Sequence, residues 1–414
     1  MRRAVAALVV VAAVGPGVAG IAGIAGASAP PAPVVAAYFA DYDPNFNADQ
    51  IPGDRLTDVI YAFGAIDAND RCALGDPAAD LETRFPGTGR APGAPGGNFG
   101  QLELLKARYP KLETEISIGG WSGSDRFSDA ASTAAKRRAL VRSCIDLFLR
   151  SWPGLFDGID IDWEFPVAGG APGTPARSAD RADATALLEQ FRSQLDRLGA
   201  LTHRHYLLTA ALPAYRSPGD GYTPATSWDL RAVAKSVDWI NLMTYDLSNS
   251  APLTDFESPL RPAPGDPNRA APGGGNTVAG AVRFYEDAGV PASSIVVGAP
   301  FYGRVFTHVP DRGGGLFQRY RALGETPSYA QIVGGYLPGA ERHYSPQADE
   351  PWLYSAGARS FVSYDDPAAM AAKARYVVAA HLRGVMLWEI SMDDASHSLL
   401  NALAGPLLAS AAGR

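Results

Sequence analysis

Residues 156–166 read Phe-Asp-Gly-Ile-Asp-Ile-Asp-Trp-Glu-Phe-Pro and set Asp160, Asp162 and Glu164 at alternate positions of an otherwise apolar run. Side chains of a strand point to opposite faces with period two, so the three acids share one face while Ile159, Ile161 and Trp163 take the other. Three like charges at consecutive same-face positions repel, and burying them costs several kcal/mol unless they are paired or protonated. Sharing protons raises the pKa of at least one member. The spacing therefore predicts an acid that stays protonated near neutral pH and can donate to a leaving group. Carboxylates gathered at the mouth of a fold can instead bind Mg²⁺ or Ca²⁺. An acid triad beside a Trp suits sugar chemistry better, so no metal or other cofactor is expected.

The elements that must hold these acids follow from the hydrophobic pattern. Candidate strands are 34–39, 58–64, 114–121, 158–164, 206–213, 239–246, 294–302 and 384–390, several of them near-continuous apolar runs as in parallel strands buried on both faces. Helical spacing fills the gaps at 102–109, 139–149, 184–198, 278–288 and 368–380, with Asp366 before Pro367 as an N-cap and first-turn pair. Eight β-then-α units predict an α/β fold, a (β/α)8 TIM barrel whose working end lies at the strand C-termini. Trp121, Glu164, Asp246 and Trp388 all fall at such ends. Pro/Gly-rich stretches at 65–100, 166–178 and 247–275 read as cleft walls. Residues 305–360 are too long for a barrel crossover and are expected to form a small α+β insertion between strands seven and eight.

Composition narrows the setting. Arg2 and Arg3, the apolar run from Ala4 to Val14 and Ala27-Ser28-Ala29 predict a signal peptide over 1–29, so the mature chain of about 385 residues (30–414) is expected to be a single secreted, extracellular catalytic domain. A membrane span needs ~20 uninterrupted apolar residues, and Gly15, Pro16, Gly17 and Gly20 break the only long run. The net charge of −7, with no basic run, makes nucleic acid and anionic membrane poor partners. Export and an even count permit a disulfide between Cys72 and Cys144; two separate thiols, with Cys144 packed in a helix, are equally compatible with the sequence.

Five segments in order resemble the successive signatures of family 18 glycoside hydrolases, the chitinases: Ser117-Ile118-Gly119-Gly120-Trp121, Asp157 to Glu164, Met243-Thr244-Tyr245-Asp246, Gly298 to Arg304 and Gly384 to Glu389. The resemblance implies Glu164 as the general acid and Asp162 as the residue that orients the sugar 2-acetamido group and stabilises its positive charge. It further implies Asp160 as a hydrogen-bond partner of Asp162, and Tyr245 as donor to the acetamido oxygen. Asp246 and Met243 would line the same subsite above a Trp388 floor. Tyr38, Phe63 and Trp121 would be sugar platforms, Arg304 a sugar-contacting residue, and Asp157, Ser117, Gly119 and Gly120 structural. The expected partner is chitin or a chitooligosaccharide, acted on by a monomer. An endo-β-N-acetylglucosaminidase acting on N-glycans shares the motif, and a lectin is the inactive alternative.

The chemistry of the pair agrees. A retaining enzyme with its own nucleophile needs two carboxyl groups on opposite sides of the scissile bond, about 5–5.5 Å apart. Asp162 and Glu164 approach from one side. Substrate-assisted attack by the acetamido oxygen, a known property of the family, is then expected.

Overall fold

The computed structural model describes residues 32–412, apart from 42, 86, 89–94, 218–221, 249–251 and 268–274. The expected signal peptide at 1–29 lies outside the described residues. Eight parallel strands form at the positions the apolar runs mark: β1 Val34–Ala40, β2 Asp58–Ile66, β3 Glu113–Gly119, β4 Gly158–Asp162, β5 Leu207–Pro213, β6 Trp239–Met243, β7 Ile295–Pro300 and β8 Gly384–Trp388. Each pairs with the next in parallel, and β1 pairs with both β2 and β8, so the sheet closes on itself. A short strand, Cys72–Leu74, returns antiparallel to β2.

Alternation along each strand sorts side chains into two cores. Val34, Ala36, Tyr38, Ile60, Leu207, Trp239, Val296 and Met386 fill the barrel interior. Val35, Val59, Ile116, Ile159, Ile161, Leu208, Ile240 and Val385 face outward into the layer beneath the helices, at Gly97–Arg108, Ala134–Cys144, Asp180–Thr202, Leu230–Ser236, Val278–Asp287 and Pro367–Ala379. Asp366 caps the last of these by accepting from Ala369 N at 2.9 Å. A further helix, Ser398–Ala412, packs against it. Gly405 and Pro406 interrupt its helical pattern in the sequence, and Pro406 lies inside it.

Five strand ends come earlier than the sequence suggests, those of β3, β4, β6, β7 and β8. β3, β4 and β6 stop at Gly119, Asp162 and Met243, so Trp121, Glu164 and Asp246 sit just past the ladder rather than in it. Gly119 and Gly120 have φ of 116° and 81°, and Asp246 a φ of 55°, conformations that end a strand. A Cβ on Gly119 would collide with the Asp162 carbonyl oxygen, which explains the glycine at that crossing point of β3 and β4.

The insertion also differs in extent. Its antiparallel sheet orders Ala322–Leu323, Gly303–Thr307, Ser360–Tyr364, Glu350–Ser355 and Glu341–Ser345. Because the entry strand Gly303–Thr307 pairs with the exit strand Ser360–Tyr364, the subdomain extends past 305–360 on both sides. Phe306, Trp352, Tyr354 and Phe361 form its core with Phe256 from the wall loop after β6.

Cys72 and Cys144 are joined in a disulfide with Cα atoms 4.9 Å apart, tying the hairpin after β2 to the helix before β4. Labelling the denatured, unreduced protein should therefore find no free thiol. Reduction should destabilise by up to ~4 kcal/mol in the chain-entropy model. Two labelled thiols would refute the link.

Candidate active site

At the C-terminal mouth of the barrel opens a cleft of ≈ 1020 Å³ whose lining includes Tyr38, Phe63, Trp121, Asp162, Glu164, Met243, Tyr245, Asp246, Arg304 and Trp388. Residues separated by up to 350 positions in the sequence thus share one cavity because each lies at the end of a barrel strand. Trp121 stands at the rim, 52% exposed, while Phe63 and Trp388 stack deeper at 5.8 Å between ring centroids. Apolar ring faces beside polar groups are what a sugar ring needs on its two sides.

Beneath the cleft the acids are strongly differentiated by their surroundings. Asp160 is fully buried and receives four side-chain donors: Tyr38 Oη at 2.9 Å and Ser117 Oγ at 2.7 Å on Oδ2, Thr209 Oγ1 at 2.7 Å and Asn241 Nδ2 at 3.2 Å on Oδ1. The registers Ser117↔Asp160 on β3/β4 and Asp160↔Thr209 on β4/β5 bring those donors level with it. Charge-assisted bonds of this kind favour the ionised form and oppose the pKa rise that burial causes.

Asp162, one layer higher, is 4% exposed and its Oδ1 has no hydrogen-bond partner among the described residues. Burial first, then the charges of Glu164 and Asp160, push its pKa well up. Glu164 is pushed up to about 8 by burial and by the Asp246 carboxylate. Two carboxyl groups so coupled titrate as a pair. Ser124 fixes the backbone here: its Oγ accepts from Glu164 N at 2.8 Å and donates toward Asp162 O at 3.1 Å. Tyr245, buried and held protonated by burial and the surrounding acids, packs edge-on against Tyr302 at 6.1 Å. Its hydroxyl has no hydrogen-bond partner among the described residues, so it is free to donate into the cleft.

On the insertion side Arg304 bonds Asp246 and, at 3.2 Å, the fully buried Glu257. Glu257 also accepts from Asp246 N at 2.6 Å and Ser248 Oγ at 2.9 Å. The wall of the cleft and the insertion are thereby locked through one guanidinium.

Two expectations are corrected by this geometry. Tyr38 is 1% exposed with its hydroxyl spent on Asp160, so it is a support of the acid network rather than an open sugar platform. No hydrogen bond links Asp160 to Asp162 among the described residues; Asp160 is saturated by four other donors. Asp157 lies at the opposite barrel end, where Lys106, Arg204 and Thr114 N surround it. Ser117, expected to be structural, proves to be one of the donors. Thr209, Asn241, Ser124 and Glu257 were not anticipated. For Thr209 and Asn241 a signal exists: each is a polar residue on the inward parity of an apolar strand, in step with Ala211 and with Met243.

A carboxyl with a raised pKa beside a second buried carboxyl, at the C-terminal mouth of a parallel barrel, is an arrangement that hydrolysis of glycosidic bonds can use. The family model for glycosyl hydrolases family 18 matches residues 34–393, and the chain belongs to that family. It is 34% identical over 411 residues to Chitinase A1 of Niallia circulans, an alignment covering 89% of this chain and 57% of that protein. Among solved structures, the chitinase ChiA74 from Bacillus thuringiensis superposes with a TM-score of 0.82 at 29% identity, over 91% of this chain and 70% of that one. A family 18 N-acetylglucosaminidase from Paenibacillus barengoltzii gives 0.75 at 33% identity, over 90% and 99%.

The electrostatics predict a pH dependence. Glu164 must be protonated to act as an acid, so kcat/KM should fall as pH rises through about 8. Asp246→Asn removes a charge that raises that pKa and should move the alkaline limb to lower pH. A limb that stays put, or moves up, would detach Asp246 from the proton donor.

Proposed function

We propose that this chain is a secreted, monomeric chitinase that hydrolyses β-1,4 bonds between N-acetylglucosamine units with retention, the substrate's own 2-acetamido oxygen acting as nucleophile. The observation that carries this reading is the unpartnered Asp162 Oδ1 in one cleft with Tyr245 and with Glu164, whose pKa is pushed up to about 8. In this reading Glu164 protonates the glycosidic oxygen while Tyr245 donates to the acetamido oxygen and aims it at C1. Asp162 accepts from the acetamido N–H and faces the oxazolinium cation, where a carboxylate without other partners stabilises charge that develops only in the transition state and intermediate. Phe63 and Trp388 would floor the subsite, Trp121 would hold a more distant sugar, and Arg304 and Asp246 would meet its polar edge.

Secretion is supported by the basic start and apolar run of residues 2–14; no helix among the described residues is long and apolar enough to cross a membrane. The likeness to an N-acetylglucosaminidase over 99% of that chain favours a second reading, release of single N-acetylglucosamine residues from chain ends. Product sizes from chitohexaose over time separate the two: dimers and trimers for internal cleavage, monomer alone for terminal release.

Five outcomes test the mechanism. Glu164→Gln should keep substrate binding while lowering kcat by ~10²-fold or more. Fully deacetylated chitosan should resist cleavage, and turnover should survive exhaustive EDTA. A thiazoline analogue of N-acetylglucosamine should inhibit competitively, and Asp162→Asn should weaken that inhibition. Trapping a glycosyl ester on any Asp or Glu would overturn the substrate-assisted step.

A further inference from the structure

A fourth carboxylate lies one layer below Asp160 and takes no part in the mechanism above. Glu115 is on β3, two residues before Ser117 and on the same inward face, and it is fully buried. Its Oε2 lies 2.8 Å from Thr209 Oγ1, and that same hydroxyl lies 2.7 Å from Asp160 Oδ1. Its Oε1 has no partner among the described residues.

A hydroxyl carries a single proton. Thr209 can therefore donate to Asp160 or to Glu115, and two ionised carboxylates cannot both be satisfied by it. One of them must hold a proton of its own and donate it to Thr209 Oγ1. Asp160 receives three further donors, from Tyr38, Ser117 and Asn241. Glu115 receives none, so the resting proton belongs on Glu115. The charges facing it have the same sign: Asp160 from β4, Asp58 from the start of β2 and Asp238 ahead of β6, while Arg383 before β8 faces Asp58. Burial and these carboxylates hold the Glu115 pKa well above the usual carboxylic range.

We propose that Glu115, Thr209 and Asp160 form a one-proton relay that moves negative charge away from the catalytic pair. In the step, the Glu115 Oε2–H bond breaks as Thr209 Oγ1 takes that proton. Thr209 passes its own hydroxyl proton to Asp160 Oδ1. Thr209 ends unchanged, Asp160 is neutral, and Glu115 is a carboxylate accepting from Thr209. Once Glu164 has protonated the leaving group, Asp160, Asp162 and Glu164 would otherwise all be ionised in adjacent layers, and like charges so close disfavour one another. Shifting the relay places the third charge on Glu115, beyond the cleft floor. Glu115 and Thr209 are thus positioning residues acting through Asp160.

The inference rests on the reading of Asp162 and Glu164 given above. A fluorogenic N-acetylchitooligosaccharide reports turnover. Glu115→Gln, nearly isosteric and unable to release a proton, and Thr209→Val, which removes the bridge, should each lower kcat roughly tenfold, the effect of about one pKa unit, with KM changed less than twofold. The double variant should lose no more than the worse single, because both break one relay. Thr209→Ser should restore turnover. Infrared spectra of the free enzyme at neutral pH should contain a protonated-carboxyl band that is absent from Glu115→Gln, a readout independent of activity. Wild-type kcat in Glu115→Gln, multiplicative losses in the double variant, or no such band would each overturn the relay. Failure of the wild type to cut the substrate, or full activity in Glu164→Gln, would instead overturn the functional reading and leave the infrared result to decide the proton's place.

Discussion

The buried Asp160 carboxyl at the centre of the barrel, held by four side-chain donors, is the constraint around which the rest of this structure is arranged. A carboxylate with no solvent contact is tolerated only when charge-assisted hydrogen bonds replace its hydration. Four strands besides its own supply those bonds: β1 through Tyr38, β3 through Ser117, β5 through Thr209 and β6 through Asn241. A barrel is suited to this, because its interior is a set of layers to which neighbouring strands contribute at one level. Closing the sheet and solvating Asp160 are consequently the same event. Removing one donor leaves a buried charge short of a partner, whereas an apolar interior residue elsewhere in the layer is replaceable by volume alone.

Above that layer, the differences among the acids come from what surrounds each one. Asp160 is saturated with donors, Asp162 has an open oxygen, and Glu164 at the cleft edge is raised to about 8 with Asp246 as its charged neighbour. Three carboxyl groups of similar intrinsic acidity are thereby set apart by their donors, burial and charged neighbours. On the far wall, Arg304 ties Asp246 to Glu257. Glu257 N donates to both Glu350 Oε1, at 2.9 Å, and Ser363 Oγ, at 2.7 Å, in the insertion. The insertion sheet is therefore fastened to the cleft by buried polar bonds, whose directionality fixes position in a way that apolar packing does not.

The barrel was legible in the sequence because its strands are short apolar runs spaced by helical segments, and because Asp160, Asp162 and Glu164 break the pattern at one parity. The strand ends were less legible. Where Glu164, Trp121 and Asp246 sit relative to the ladder is decided by positive φ at Gly119, Gly120 and Asp246 and by the Ser124 hydroxyl under Glu164 N. The sequence carries no periodicity for such contacts. The Tyr38 reading failed for a related reason: an aromatic at a strand end can face the cleft or hang beneath it, and only the level of its hydroxyl relative to Asp160 separates the two. Glu257 left no trace, since it lies in an irregular loop and acquires its role from an arginine 47 residues away.

The same burial that raises the Glu164 pKa sets a limit on the fold. A carboxyl whose pKa is raised on folding contributes its full stability below its unfolded value, near 4.3, and loses it as pH climbs through the folded value, here about 8. Asp162 and Glu115 are shifted in the same direction by the same cause. Site and fold therefore share one pH window: the protonated form of Glu164 is also the form that its buried surroundings accommodate at least cost. Raising the pH withdraws both together.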